Sequence, residues 1–211
     1  DIVNPSTEEV VGVAPDATRE DAFEAARAAK EAFWSWSRTT PQERAELLRR
    51  AGELLAKHND ELVPLVQAET GATQKVASSM QVPVAISRFD RYARGAMEPN
   101  QIPLAPQVMP DTPLAPGGVI GAVVNRAPVG VVACIASYNF PLTNMAGKVA
   151  PALAMGNCVN CAPIPFLTMA HWDNTASSTT SIPIVALTAC VSTPKATSSP
   201  QRVGKSAALA A

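Results

Sequence analysis

The apolar positions of this chain change their period twice, and each change marks a change of element. Thr18, with Asp21 three residues on, carries the reciprocal N-terminal capping signature. Phe23, Ala26, Ala29, Phe33 and Trp36 then return at helical spacing. "TPQE" at Thr40 to Glu43 joins a capping threonine, a proline at the first helical position and a returning carboxylate. Behind it Leu47, Leu48, Ala51, Leu54 and Leu55 form one apolar stripe. The spacing predicts a third helix over Asp60 to Thr70 that stops at Gly71, a residue suited to a left-handed C-cap. A fourth is expected over Gln74 to Ala93. Seven prolines between Pro99 and Pro128 then exclude helix and favour an extended arm with edge strands.

After the arm the period changes again. "PVGVVACIAS", Pro128 to Ser137, has β-branched residues on both parities, the pattern of a strand covered on both faces in a parallel sheet. "FPLTNMAGKVAPALAMGN" follows as a helix with Pro141 in its first turn and Gly156 past its end, and "NCV" opens a second strand. Strand, helix, strand is the unit of a doubly wound nucleotide-binding sheet, where ligands lie at the C-terminal ends of the strands. The expected fold class is therefore α/β. Residues 1–98 supply N-terminal helices, 99–128 the arm, and 129–165 the start of a Rossmann-like parallel sheet. Residues 166–211 form an atypical tail.

Charge sharpens that last boundary. Residues 1–165 hold 31 of the 35 charged side chains. From Phe166 to Ser199 only Asp173 and Lys195 are charged, Ser and Thr fill 13 of 34 positions, and no helical period survives. An error of reading frame or of sequence record accounts for so abrupt a break better than a divergent cap does. Net charge is −1, so nothing tracks a phosphate backbone or an anionic membrane, and neither nucleic acid nor membrane is expected as partner. Residues of hydrophobic type make up 47%, but no run approaches a membrane span and no basic-then-apolar leader opens the chain; the cytoplasm is the expected location. The first residue is Asp1, so the native start is expected to lie upstream.

The four cysteines are too few for a disulfide scaffold. Cys134 lies mid-strand, and Cys158 and Cys161 flank the next strand as small buried hydrophobes; with no helix N-terminus or basic neighbour to lower a thiol pKa, none is expected to be a nucleophile. The single C-x-x-C of "CVNC", even with His171 and Cys190 imagined as further ligands, does not make a metal site, and none is expected.

Asn139 ends the greasy run "IASYNFPL" and admits two readings. Asn is a favoured N-cap, and a helix begins just beyond it. Alternatively its side-chain NH₂ is a donor aimed at a developing oxyanion, held at the positive end of a helix beside a dinucleotide. The wider sequence bears on the choice. "APVGVVACIASYNFPLTNMAGKVAPALAMGN" closely resembles the central region of the aldehyde dehydrogenase superfamily, in which the Asn before Phe-Pro is the oxyanion-hole amide. "VNPSTEEVVGVAPDAT", "RTTPQERAELLRRAGELL", "ETGA" and "PLAPGGVIGAV" resemble its N-terminal part in the same order, so the likeness covers about residues 1–165.

That resemblance implies oxidation of an aldehyde to an acid with NAD or NADP, through a cysteine thioester hydrolysed by a Glu-activated water. It implies a catalytic role for Asn139 and places Ile135, Ala136, Ser137, Tyr138 and Asn139 beside the nicotinamide half of the cofactor. It also implies a homo-oligomer built through the arm, and a cofactor sheet lacking the G-x-G-x-x-G fingerprint, which is indeed missing here. Neither the family's glycine-flanked nucleophilic Cys nor its Glu-Leu-Gly-Gly motif occurs in these 211 residues. Ala162 stands where the family has a ribose-binding lysine, although Pro163 and Pro165 still match. The fold is thus expected to be incomplete relative to the family and the chain inactive alone. The other functional class is a non-catalytic truncated relative that binds a nucleotide or a partner weakly.

Overall fold

The structure, a computed structural model, describes residues 1–14 and 16–161. The expectations for Ala162, Pro163, Pro165, His171, Cys190 and the atypical tail lie outside the described residues.

Two short strands open the chain, β1 (Ile2–Val3) pairing antiparallel with β2 (Val10–Gly12). Helix α1 (Arg19–Trp36) starts with the expected reciprocal cap: Asp21 N donates to Thr18 Oγ1 at 3.2 Å and Thr18 N to Asp21 Oδ2 at 2.8 Å. Its inner face buries Ala25, Ala29 and Trp36. Phe23, expected on that face, instead points to solvent under the Arg19 guanidinium, 5.4 Å from the ring centroid, where a cation–π contact shields it. Helix α2 (Pro41–Lys57) repeats the device through Thr40 and Glu43, and buries Leu48, Ala51 and Leu55. Helix α3 (Asn59–Thr70) ends on Gly71 at φ +66°, the left-handed conformation a side chain resists.

The fourth predicted helix is present but not uniform. It divides into α4 (Gln74–Val76), a π-helical segment (Ala77–Gln81) and α5 (Val82–Gly95). Pro83 supplies the reason: it has no N–H for the carbonyl four residues back. Just ahead of it the ladder widens, with Val82 N bonded to Ala77 O. Helix α5 then lies between α2 and α6 (Pro141–Ala154). Gly52 of α2 allows the close approach, because a Cβ there would stand 3.3 Å from Phe89 Cβ.

The proline-rich segment forms an antiparallel hairpin, β3 (Gln101–Met109) with β4 (Gly118–Asn125). Its register slips by one residue between Leu104 and Gln107, where Pro106 has no N–H to give the ladder. Every residue of both strands is exposed.

Strand β5 (Val131–Cys134) pairs in parallel with β6 (Cys158–Cys161), in register from Val131↔Cys158 to Cys134↔Cys161, with α6 as the connection. The α/β strand, helix, strand unit is therefore as expected. The strand is shorter than its apolar pattern suggests, since residues 135–140 leave the ladder, and Ala133 is exposed although cover on both faces was expected. Among the described residues this sheet has only two strands, so that position of β5 stays open. One core joins the layers, with Leu48, Leu55, Val66, Val82, Leu153 and Val159 almost wholly buried.

Candidate functional site

Residues 135–140 connect the C-terminal end of β5 to the first turn of α6. Ala136 alone of the five predicted site residues is buried and pins the segment to the core. Ile135, Ser137, Tyr138 and Asn139 are exposed, Tyr138 at 84% of its surface. The structure thus brings all five together on one short ridge.

The capping reading of Asn139 is not what the helix uses. The N-cap position of α6 belongs to Phe140, whose backbone is non-helical at φ −137°, and no side chain caps this end. Asn144 N donates to Phe140 O at 2.9 Å as the first bond of the helix. Among the described residues the Asn139 carboxamide makes no hydrogen bond, while its backbone carbonyl receives a long one, 3.5 Å, from Gln81 Nε2. Ser137 is held separately, its Oγ accepting from Asn144 Nδ2 at 2.6 Å. With Pro141 at the first position and no acidic residue in the first turn, the end of α6 keeps its positive partial charge unopposed.

The far end of α6 is fixed by residues that sequence reasoning missed. Asn157 Oδ1 accepts from Val129 N at 2.6 Å and Gly130 N at 3.1 Å, and its Nδ2 donates to Ala152 O at 3.2 Å. One side chain therefore ties the start of β5, the end of α6 and the start of β6. Gly156 makes the preceding turn at φ +80°. Arg44 of α2 donates through Nε to Ala154 O at 2.9 Å, placing a cation on the negative end of α6. The only sequence signal for this anchor is the Gly-Asn pair after the helix; the partners are 27 and 28 residues away.

Cys134, expected to have neither a helix N-terminus nor a basic neighbour to lower its pKa, has a basic neighbour in Lys148 and a thiol beside it. The Cys161 thiol beside it and the positive charge of Lys148 draw its pKa down against the effect of burial, while the same pairing and burial push Cys161 up. Cys134 has no exposed surface, so it stays out of reach of a substrate carbonyl. Among the described residues no group of three or more His, Cys, Asp and Glu side chains could hold a metal ion, and no helix is long and apolar enough to cross a membrane.

A parallel strand, helix, strand unit that delivers the largely exposed segment Ile135 to Asn139 to a helix entered through Phe140 and Pro141 makes this an α/β protein. Residues 1–171 match the model of the aldehyde dehydrogenase family, and the chain belongs to that family. It is 35% identical over 163 residues to the mitochondrial aldehyde dehydrogenase of Leishmania tarentolae, covering 77% of this chain and 31% of that protein. It is 33% identical over 172 residues to the 2-aminomuconic semialdehyde dehydrogenase of Bos taurus, covering 82% and 34%. Among solved structures, a mutant of aldehyde dehydrogenase C from Pseudomonas syringae, complexed with NAD+ and octanal, superposes with a TM-score of 0.66 at 33% identity, over 77% of this chain and 30% of that one. The chain thus spans about a third of the length of these relatives.

Proposed function

We propose that this chain is the N-terminal, cofactor-binding portion of an NAD(P)-dependent aldehyde dehydrogenase, and that Asn139 is its oxyanion donor. The observation that carries the reading is the Asn139 carboxamide itself, exposed, free of any capping duty and set at the positive end of α6. A carboxamide NH₂ held there stabilises negative charge on a carbonyl oxygen as a cysteine thiolate adds to it. The exposed ridge Ile135 to Asn139 suits the nicotinamide half of the cofactor, which supplies a hydride acceptor when bound. Relatives solved with NAD+ and with NADP support either form. The thioester-forming Cys and the water-activating Glu would come from sequence other than these 211 residues, which is why the chain alone is proposed to be inactive. The arm β3–β4, exposed along both strands, is the proposed contact between subunits. The cytoplasm is the proposed location, four cysteines in 211 residues being too few for a disulfide scaffold.

The test is made in a complete enzyme carrying this segment. Asn139→Ala and Asn139→Asp should fold and bind cofactor yet lose roughly 10²–10³ in kcat, the usual cost of one oxyanion donor. Full turnover by Asn139→Asp would overturn the reading, because that variant puts a negative charge where the oxyanion must form.

A further inference from the structure

Gln81 ends the π-helical segment and has no exposed surface. Its main chain and side chain face different tasks. The main-chain carbonyl accepts from Thr143 Oγ1 of α6 at 2.9 Å, and the neighbouring Met80 carbonyl shares that hydroxyl at 3.4 Å. Arg88 of α5 adds a second link by donating to Thr143 O. These bonds clip α5 to α6 without using the Gln81 side chain at all.

The side chain does something else. Its Nε2 reaches across 58 residues of sequence to the carbonyl of Asn139, while its Oε1 is buried with no hydrogen-bond partner among the described residues. A buried amide with half its capacity unmet lowers stability, and an apolar residue of similar length would avoid that cost. A glutamine here therefore serves the turn at the expense of the core. A widened helical turn is a common place for such a residue, since it redirects a side chain out of the regular ladder.

We propose that Gln81 is a positioning residue for Asn139, its carboxamide holding the 137–140 turn so that the Asn139 side chain stands at the head of α6. The proposal rests on the reading of Asn139 as oxyanion donor. It assigns Gln81 no contact with substrate or cofactor.

The test replaces Gln81 by Met, with Leu as a second variant, in the 211-residue chain and in a complete enzyme carrying this segment. In the 211-residue chain the denaturation midpoint should stay level or rise, because the unmet Oε1 is gone. Hydrogen exchange at Asn144, whose N–H closes the first turn of α6 onto Phe140 O, should nonetheless quicken about fivefold, the worth of one modest hydrogen bond, while amides in α2 and α5 keep their rates. In the complete enzyme kcat should fall several-fold, with any rise in KM for the dinucleotide smaller than that fall. Unchanged exchange at Asn144, or faster exchange everywhere, overturns the proposal, as does failure of both variants to fold, which would make the side chain a core requirement. If the turn loosens as expected but kcat holds, Gln81 does order the turn and it is the role of Asn139 that fails.

Discussion

Replacing Asn157 by Ala should destabilise the described domain by several kcal/mol, about 2–5 kcal/mol from the bonds it makes. The side chain is 7% exposed and makes three hydrogen bonds, two as acceptor and one as donor. Their loss is not uniform. Val129 is 84% exposed, so its N–H recovers a water; Ala152 O keeps the bond from Asn157 N at 3.0 Å. Gly130 N–H is the group left partly buried and unpaired. One unmet group at about 1–3 kcal/mol, with two replaceable bonds at about 0.5–1 kcal/mol each, gives a loss of about 2–5 kcal/mol. Urea unfolding of the 211-residue chain, followed by far-ultraviolet circular dichroism, measures it directly. A loss below about 0.5 kcal/mol for Asn157→Ala, the range of ordinary surface changes, would refute the assignment of this residue as the three-way tie.

Two further outcomes concern packing and pH. Gly147→Ala would put a methyl into the Arg88 guanidinium and push it off the Thr143 carbonyl, a bond to a charged group at about 1.5–3 kcal/mol offset by about 1 kcal/mol for alanine in a helix, so unfolding should be easier by about 0.5–2 kcal/mol; a midpoint above wild type would mean the arginine finds another seat at no cost. Thr40→Ala should lower stability by about 1 kcal/mol through loss of the α2 cap. Hydrogen bonds from the Thr40 backbone and hydroxyl lower the Glu43 pKa, so its contribution is full above the unfolded carboxylate value and fades as pH falls through the lowered folded one. Glu43→Gln should therefore flatten part of the acid limb of the stability curve, and an acid limb identical to wild type would count against it.

What could be read from the sequence was what a few neighbouring residues decide among themselves. The caps at Thr18 and Thr40 and the stop at Gly71 involve partners three residues away or none, and they stand where the pattern puts them. Phe23 fails for the complementary reason: helical period shows which residues share a face, but not how far along the helix the core extends. Interruption of the fourth helix was legible in principle, since Pro83 is visible, yet an α-helix tolerates a proline by several adjustments and the sequence does not choose among them. The ties at Asn157, Arg44 and Gln81 need the register of β5 against β6 and the crossing of α5 with α6. Those distances are set by packing, so no local pattern announces them.

The turn at Asn139 shows how the two kinds of information combine. From sequence alone the residue had a sufficient structural purpose, because an Asn before a helix usually caps it. The geometry removes that purpose by giving the N-cap to Phe140 and leaving the carboxamide exposed. An exposed side chain with no internal bond contributes little to folding, within about 0.5 kcal/mol for a typical surface position. The capping account and the donor account therefore differ on stability as well as on rate: if Asn139 capped α6, Ala would cost about 1 kcal/mol and leave turnover intact. On the donor reading proposed above the reverse is expected, a substitution nearly silent in unfolding and severe in kcat.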